Sequence, residues 1–334
     1  MDVRVEKAAG SQIGILPEDE AKLGFGQFFT DHMFMMDYDP KAGWHDPRIE
    51  PRRDLRMHPA SMVLHYGQAV FEGLKAYRGQ DDGVYLFRYM RNLERLQRSC
   101  ERLEMPVFPI DAVADGLKQL VLIDRAWIPR SKGTSLYVRP TVIAVDPFLG
   151  VRPSSTYLLF VIVGPVAAYY PEGFNPIKIW VSENYVRAVR GGVGEAKCAG
   201  NYASSLKAQV EARKAGYTQV LWLDAIEKKY VEEVGTMNIF FALDGQVVTA
   251  PLGGTILPGI TRDSVIHLLE QWGVKVSQRP LAIDEVIEGT RSGKLAEVFG
   301  SGTAAIISPV GKIHWKGSEY TVGDGKVGPI SRRL

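Results

Sequence analysis

One lysine, Lys197, lies in the stretch GVGEAKCAGNY among small or uncharged residues, with Glu195 as the other charge. A lysine amine becomes a nucleophile when it is partly desolvated or held near other positive charge. Small neighbours also allow a planar ligand to approach closely. Taken alone, however, the pattern is also typical of a surface lysine in a flexible loop ahead of a helix. Partners elsewhere in the chain decide between these two interpretations.

An acidic pair, Glu232 and Glu233, leads the strand pattern VEEVGTMNIFFAL. A carboxylate beside a pyridine nitrogen keeps that nitrogen protonated, and a pyridoxal ring needs such a partner to act as an electron sink. One of the two carboxylates is enough for this role. A solvated acidic pair is the alternative.

Two turns and one arginine have the chemistry of an anion site. LPGITRDSV places Ile260 and Thr261 at the start of a helix, where backbone N–H groups and the helix dipole favour an anion. The alternative is an ordinary N-terminus capped by Thr261 or Asp263. FGSGTAAIISP supplies a second, Gly-Ser-Gly-Thr turn with the Thr303 hydroxyl, and Arg88 at the end of the strand GVYLFR adds a permanent charge. A solvated arginine is the alternative there.

The elements that position these residues form two α/β groups. In the first half, the strand patterns GVYLFR, SLYVRPTVIAV and TYLLFVIV alternate with helical ones. RNLERLQRSCERL repeats apolar residues at helical spacing, at Leu93, Leu96, Cys100 and Leu103. Prolines and glycines at Pro165, Pro171, Gly173 and Pro176 then mark a connection. We therefore expect a first domain over 1–164, a linker over 165–177 and a second domain over 178–334.

The second half contains its own strands and helices. We expect a helix near 203–215, the strand QVLWL, and a hairpin NIFFALDGQVVTA that turns at Asp244-Gly245. A helix over about 262–272 follows, with its apolar face at Val265, Leu268, Leu269 and Trp272.

Composition and charge argue against several classes of protein. The 334 residues are 46% hydrophobic and carry a net charge of +2, which argues against a nucleic-acid-binding protein. Cys100 and Cys198 are the only cysteines, so neither a disulfide framework nor a zinc site of the usual spacing is expected. The charged N-terminal segment is unlike a signal peptide, and no apolar run is typical of a membrane span. A cytoplasmic enzyme fits these features.

Several motifs together resemble one family over almost the whole chain. They are FEGLKAYR (71–78), LFR (86–88), YVRP (137–140), EAKCAGNY (195–202), EVGTMNIF (233–240), LPGIT (257–261) and EVFGSGTA (297–304). In this order they resemble the branched-chain amino-acid aminotransferases, which are pyridoxal-phosphate enzymes of fold type IV. The resemblance implies a smaller open α/β domain followed by a larger α/β pseudo-barrel domain, and a homodimer.

The resemblance also implies roles for single residues. Lys197 would form the Schiff base with pyridoxal 5′-phosphate, Glu233 would pair with the pyridine nitrogen, Tyr202 would bind the phenolic oxygen and Thr236 would lie against the ring. The phosphate cup would consist of Arg88, the amides of Ile260 and Thr261, and Thr303.

For the substrate, the resemblance implies an apolar pocket with a cation. Tyr66 and the backbone at Thr303-Ala304 would hold the α-carboxylate, and Arg139 would bind the γ-carboxylate of glutamate. The pocket walls would be Phe29, Phe71, Tyr137 and Tyr169. Since large rings mostly fill protein cores, each aromatic also has a structural interpretation.

The expected reaction is reversible, ping-pong transfer of the amino group of leucine, isoleucine or valine to 2-oxoglutarate. Other possibilities within the fold are a D-amino-acid aminotransferase and an aminodeoxychorismate lyase. A relative that has lost catalysis is a further alternative, against which the presence of Lys197, Tyr202 and Glu233 argues.

Overall fold

The computed structural model describes residues 1–169 and 173–334. By its internal contacts the chain divides into two compact units. The first comprises Met1–Tyr169 and the short segment Ala196–Ala199, and the second contains the rest of the described chain. Both units combine strands with helices, which confirms the α/β class.

The domain limits expected from the sequence stay a prediction. Within the expected linker over 165–177, Pro165 still belongs to a strand that ends at Val166, and the next strand begins at Ile177. Pro171, one of the residues that mark the expected boundary, lies outside the described residues.

One sheet of eight strands forms the first unit. Its strands are β1 (Arg4–Val5), β2 (His32–Asp39), β3 (Gly43–Pro51), β4 (Ala69–Phe71), β5 (Leu74–Arg78), β6 (Val84–Leu86), β7 (Ser135–Ala144) and β8 (Tyr157–Val166). They follow the order β1-β3-β2-β8-β7-β5-β6, and β4 also pairs with β7. The α-helices of this unit are α1 (Met62–Tyr66), α2 (Tyr89–Arg102) and α3 (Ile110–Ile123).

Strand β7 has one buried and one less buried face. Its even-numbered residues from Leu136 to Val142 are buried, whereas Tyr137, Arg139 and Thr141 are half-buried. This is the alternation that a strand produces when one face packs on a core. Two residues expected at the substrate pocket, Tyr137 and Arg139, therefore share the less buried face.

Helix α2 has the apolar face that its sequence predicts. Leu93, Leu96 and Cys100 are fully buried, which confirms three of the four expected positions. Leu103, the fourth, is the half-buried C-cap just after the helix. Arg88 does not end the preceding strand, because β6 stops at Leu86. It is the N-cap of α2 instead, and its left-handed backbone (φ 47°) turns the chain from the strand into the helix.

The second unit contains a closed ring of strands. Its strands are β9 (Ile177–Val181), β10 (Gln219–Leu223), β11 (Val231–Val234), β12 (Met237–Leu243), β13 (Gln246–Thr249), β14 (Val276–Gln278), β15 (Leu295–Gly302), β16 (Ile306–Trp315) and β17 (Ser318–Thr321). The order β11-β10-β9-β16-β15-β12 closes because β11 also pairs with β12. Its helices are α4 (Ala199–Lys214), α5 (Ile260–Gln271), α6 (Ile283–Ser292) and α7 (Pro329–Arg333).

The expected hairpin of the second unit is confirmed, and the expected Gly-Ser-Gly turn is wrong. Asp244 and Gly245 have φ values of 52° and 77°, as a two-residue type I′ turn requires. Gly-Ser-Gly instead continues strand β15 to Gly302, because its residues pair with β16 up to Ile306. The turn itself starts at Thr303.

Helix α5 begins slightly earlier than its apolar pattern suggested, and its buried face is rotated. Val265, Ile266 and Leu269 are buried and pack in a cluster with Phe240. Leu268 is 37% exposed, so its assignment to the apolar face is wrong. The buried residues of α5 are Arg262, Val265, Ile266 and Leu269, which lie on one side of the helix. Leu268 lies at the edge of that side.

Candidate active site

Lys197 lies on the segment Ala196–Ala199, which packs with the first unit. Its backbone N–H donates to Ser99 Oγ at 3.0 Å, and its carbonyl accepts the Phe71 N–H at 3.0 Å. The side chain is half-buried, with Nζ 5.1 Å from the centroid of the Phe71 ring. These contacts exclude a surface lysine in a flexible loop.

Arg139 lies between two aromatic rings of the first unit. Its guanidinium carbon is 4.6 Å from the ring centroid of Phe71 and 5.1 Å from that of Tyr137. Its Nη2 donates to the Tyr137 hydroxyl at 2.8 Å. Its Nε is buried without a hydrogen-bond partner among the residues that the structure describes. This arginine therefore retains a donor for an incoming carboxylate.

Gly73 allows the Tyr137 ring to take this position. A Cβ at residue 73 would lie 1.9 Å from the Tyr137 hydroxyl oxygen, so no side chain fits there. Phe25 packs edge-on against both Tyr137 and Tyr169, at centroid distances of 4.8 and 5.0 Å. Phe25, for which the sequence predicted no role, thus connects two of the expected wall residues.

The aromatic residues expected around the substrate are not core residues. Phe29 and Tyr66 are 38% and 42% exposed, and Phe71, Tyr137 and Tyr169 are half-buried. None of the five rings is fully buried in the first unit. No ring contact or hydrogen bond in the described chain joins Phe29 or Tyr66 to the cluster around Tyr137.

A cavity of the second unit brings together three residues expected to bind the cofactor. It is partly open to solvent. Its lining is Arg187, Asn201, Tyr202, Ser205, Glu233, Gly235, Thr236 and Leu257. The expected residues among them are Tyr202, Glu233 and Thr236.

Glu233 is a buried carboxylate with fixed partners. It is 2% exposed, and its Oε2 lies 2.5 Å from Nε of Arg187. Its Oε1 accepts hydrogen bonds from Asn238 Nδ2 at 3.0 Å and from the Leu257 N–H at 3.3 Å. Arg187 supplies the positive charge that a carboxylate requires in such a buried site. The carboxylate is thus oriented at the wall of the cavity.

Glu232 has a different environment, although both residues lie within β11 and are buried rather than solvated. Successive residues of a strand point to opposite faces. Glu232 Oε1 accepts the Thr255 hydroxyl at 2.6 Å, and Glu232 is not part of the cavity lining. Burial raises the pKa of Glu232, and the Thr255 hydrogen bond and the charge of Arg187 offset that rise only in part. The geometry therefore favours Glu233 as the partner of a ligand in the cavity.

The start of α5 differs from the capped N-terminus that was the alternative. Its N-cap is Gly259, which makes no side-chain cap hydrogen bond, so neither Thr261 nor Asp263 is the cap. Ile260 and Thr261 are the first two helical residues. A Cβ at Gly259 would lie 2.0 Å from Asn238 Oδ1, so glycine is required for this close approach.

The other expected anion-binding residues lie at element ends. Thr303 and Ala304 occupy the turn between β15 and β16 in the second unit. Arg88, in the first unit, is half-buried at the N-cap of α2.

Two residues that hold Glu233, Arg187 and Asn238, were not predicted from the sequence. Arg187 is one of two arginines in NYVRAVRGG, and no spacing distinguishes it from Arg190. Asn238 lies within a motif that was recognised, but a buried amide in a strand carries no pattern of its own. Arg187 reaches Glu233 from a distant part of the chain, and Asn238 reaches it from the paired strand β12, directly opposite Glu233.

The donor set fits pyridoxal 5′-phosphate. A buried carboxylate suits a pyridine nitrogen, the Tyr202 and Thr236 hydroxyls suit a ring oxygen and a ring face, and a helix N-terminus with glycine as its N-cap suits a phosphate. In residues 1–169 and 173–334, no group of three or more histidine, cysteine, aspartate or glutamate side chains could hold a metal ion. None of the helices in those ranges has the length and hydropathy to cross a membrane.

Comparison with known proteins gives consistent matches. The family model of amino-transferase class IV matches residues 69–313. Branched-chain-amino-acid aminotransferase 2 of Bacillus subtilis (strain 168) is 57% identical over 316 residues, which cover 95% of this chain and 87% of the relative.

Solved structures agree with the sequence relatives. The Escherichia coli branched-chain amino acid aminotransferase matches with a TM-score of 0.74 at 30% identity and covers 91% of both chains. The T.th. branched-chain amino acid aminotransferase in complex with N-(5′-phosphopyridoxyl)-L-glutamate matches with a TM-score of 0.72 at 28% identity, over 90% of both chains.

Proposed function

The chain belongs to the class IV aminotransferases and is a branched-chain amino-acid aminotransferase that depends on pyridoxal 5′-phosphate, and from that premise we propose its reaction and the roles of its residues. It transfers the amino group of leucine, isoleucine or valine to 2-oxoglutarate, reversibly and with ping-pong kinetics. The observation that carries this proposal is Arg139, held on the rings of Phe71 and Tyr137 with a buried Nε that lacks a partner in the described chain. An apolar pocket with one such cation suits both an alkyl chain and the carboxylate of glutamate.

Lys197 is the residue that holds the cofactor covalently and moves the proton at the substrate Cα. Pyridoxal phosphate, when bound, supplies the electron sink for the pair that this proton leaves behind. One amine can take the proton and later return it, which is general acid–base catalysis by a single group. The hydrogen bonds of the Lys197 backbone to Ser99 and Phe71 support this role, because proton transfer requires a fixed donor geometry.

Glu233 provides the negative charge beside the pyridine nitrogen. Arg187 and Asn238 hold its carboxylate against the cavity that Tyr202 and Thr236 also line. The Tyr202 hydroxyl binds the phenolic oxygen, and Thr236 lies against the ring. The remaining cofactor residues hold the phosphate, and they are Arg88, the amides of Ile260 and Thr261, and Thr303.

The substrate is bound at its carboxylate and along its side chain. Tyr66 and the backbone at Thr303-Ala304 hold the α-carboxylate. The side chain packs against Phe29, Phe71, Tyr137 and Tyr169. Arg139 binds the γ-carboxylate of glutamate, and the surrounding rings shield it when an alkyl chain enters.

We also propose that the enzyme is a homodimer and that it works in the cytoplasm. The family resemblance supports the dimer. The two unpaired cysteines, both buried, are compatible with a reducing compartment.

A panel of amino donors tests the proposed function. The purified enzyme is mixed with 2-oxoglutarate and with L-leucine, L-isoleucine, L-valine or D-alanine, and glutamate formation is measured. The three branched-chain L-amino acids should react at comparable rates and D-alanine should not. Reaction with D-alanine alone would identify a D-amino-acid aminotransferase. In a separate assay with aminodeoxychorismate, release of pyruvate without transamination would identify a lyase.

A further inference from the structure

Helix α2 carries a buried polar row beside its apolar face. Asn92, Arg95 and Ser99 are 2%, 4% and 2% exposed. They are three and four residues apart, so they share one side of the helix. Buried polar side chains need hydrogen-bond partners. Here the partners are Glu72, which directly follows β4, and Lys197.

Glu72 is fully buried and makes hydrogen bonds through both oxygens. Its Oε1 accepts Arg95 Nε at 2.6 Å, and its Oε2 accepts Arg95 Nη2 at 2.9 Å. Oε2 also accepts Asn92 Nδ2 at 2.9 Å and the Gly73 N–H at 3.0 Å. Two-point pairing with a guanidinium is among the strongest ways to orient a carboxylate.

This carboxylate carries a negative charge at neutral pH, and Lys197 is one of the cations that act on it. Burial alone raises the pKa of Glu72. The charge and hydrogen bonds of Arg95, the charge of Lys197 and the Asn92 amide outweigh burial and hold that pKa below its usual range. A fully buried charge that interacts with the reactive lysine is therefore part of the first unit.

The same elements also fix the lysine backbone. Ser99, one turn after Arg95, accepts the Lys197 N–H at 3.0 Å. Phe71, directly before Glu72, donates its N–H to the Lys197 carbonyl at 3.0 Å. One network thus connects the carboxylate, the helix row and the lysine.

We propose that Glu72 is a positioning residue for Lys197, which acts by attracting the lysine amine in its charged form while α2 and β4 fix the lysine backbone. The inference rests on the proposed function, in which Lys197 gains and loses a proton during each half-reaction. A fixed buried charge orients a nearby cationic side chain without contacting the substrate. Glu72 and Arg95 lie outside the proposed substrate pocket.

The test is the double variant Glu72→Gln/Arg95→Gln, studied as the full-length holoenzyme. Removing both charges together leaves neither Glu72 nor Arg95 as an unpaired buried charge. We expect kcat for leucine to fall at least about tenfold, because a misplaced catalytic group is costly, while KM for leucine stays the same. The rate at which pyridoxal phosphate rebinds after its removal, followed by absorbance, should fall as well.

Two further variants separate positioning from general stability. Ser99→Ala removes the acceptor of the Lys197 N–H and should lower kcat and the rebinding rate in the same direction. Asp124→Asn breaks another buried pair of the first unit, in which Asp124 Oδ1 lies 2.6 Å from His32 Nδ1. It should lower the melting temperature and leave kcat unchanged.

Unchanged kcat and rebinding rate in the double variant would overturn the inference. If the double variant does not fold, the Ser99→Ala variant provides the test. A wild-type kcat and a wild-type rebinding rate in that variant would also overturn the inference. Failure of the proposed function gives a different result, because the wild-type enzyme itself would then not transaminate leucine with 2-oxoglutarate.

Discussion

Arg139 is the residue that most directly connects the structure with dual substrate specificity. It lies on two aromatic rings, and its Nε has no hydrogen-bond partner among the described residues. Arg139→Met should lower kcat/KM for glutamate about a hundredfold, because a charged hydrogen bond contributes about 1.5–3 kcal/mol. For leucine, kcat/KM should change little. Steady-state kinetics of the variant with glutamate and with leucine as the amino donor measures both values.

The matched control for that change is Arg291→Met. Arg291 also lies over a tyrosine ring, at 5.4 Å from the Tyr320 centroid, but on an exposed surface. The Arg291→Met change should leave kcat/KM for leucine and for glutamate unaffected. Equal losses for leucine and glutamate in the Arg139 variant would contradict a shared pocket.

Glu233 and Glu232 offer a second comparison of neighbouring residues. Glu233→Gln should slow the single-turnover reaction with leucine by about a hundredfold or more, since fixed charges at reacting centres contribute this much to catalysis. Glu232→Gln should have a small effect, because the amide oxygen can still accept the Thr255 hydroxyl. The opposite ranking of the two rates would transfer the role to Glu232.

Lys75 gives the protein a predictable pH dependence of stability. It is 5% exposed, and burial lowers its pKa from 10.5 to about 8. Between these values the unfolded chain binds more protons than the folded one, so this group makes the free energy of unfolding rise with pH. Below pH 8 the folded protein holds a buried charge at a cost. Lys75→Met should therefore stabilise the protein at pH 7 by about 2–3 kcal/mol.

The advantage of the Lys75 variant should shrink as the pH rises from 8 to 10.5. Urea unfolding of both proteins at about pH 7 and about pH 10 measures this difference. Lys207→Met is the control, because Lys207 is 68% exposed and its loss should change stability by no more than about 0.5 kcal/mol. A Lys75 variant that is less stable than wild type at neutral pH would contradict the argument.

At the scale of elements, the sequence predicts local structure well and contacts between elements poorly. The apolar row of α2 and the turn at Asp244-Gly245 follow from spacing and turn chemistry, and both are confirmed. The polar row of α2 could not be predicted, because arginine and serine are ordinary surface residues until distant partners bury them. The same holds for Ala196–Ala199, which packs with the first unit through long-range contacts.

The start of α5 allows an element-scale prediction. A Cβ at Gly259 would collide with Asn238, which in turn holds Glu233. Gly259→Ala should therefore weaken cofactor binding and cost about 1–3 kcal/mol of stability. Cofactor titration and thermal unfolding measure the two effects.

Gly253→Ala is the matched control, because a Cβ there meets nothing within 4 Å. It should leave cofactor affinity unchanged. If both variants bind the cofactor as tightly as wild type, the contact between Gly259 and Asn238 does not constrain the cavity.

At the scale of the whole molecule, spacing alone could predict an α/β chain and indicate Lys197 and an acidic pair as candidate functional residues. It could not choose between Glu232 and Glu233. Successive side chains of a strand point to opposite faces, but the sequence does not show which face of β11 lines the cavity. The closed ring of strands in the second unit likewise depends on the pairing of β11 with β12. The roles of single residues were therefore implied by the family resemblance and not by spacing.

Covalent attachment of the cofactor at Lys197 is the central claim, and reductive trapping tests it most directly. The holoenzyme is treated with borohydride and digested, and mass spectrometry locates the pyridoxyl group. We predict that it lies on Lys197, and that Lys197→Ala yields no modified peptide and no transamination of leucine. Modification of Lys75, the buried lysine with the lowered pKa, or trapping that persists in the Lys197 variant, would contradict the account.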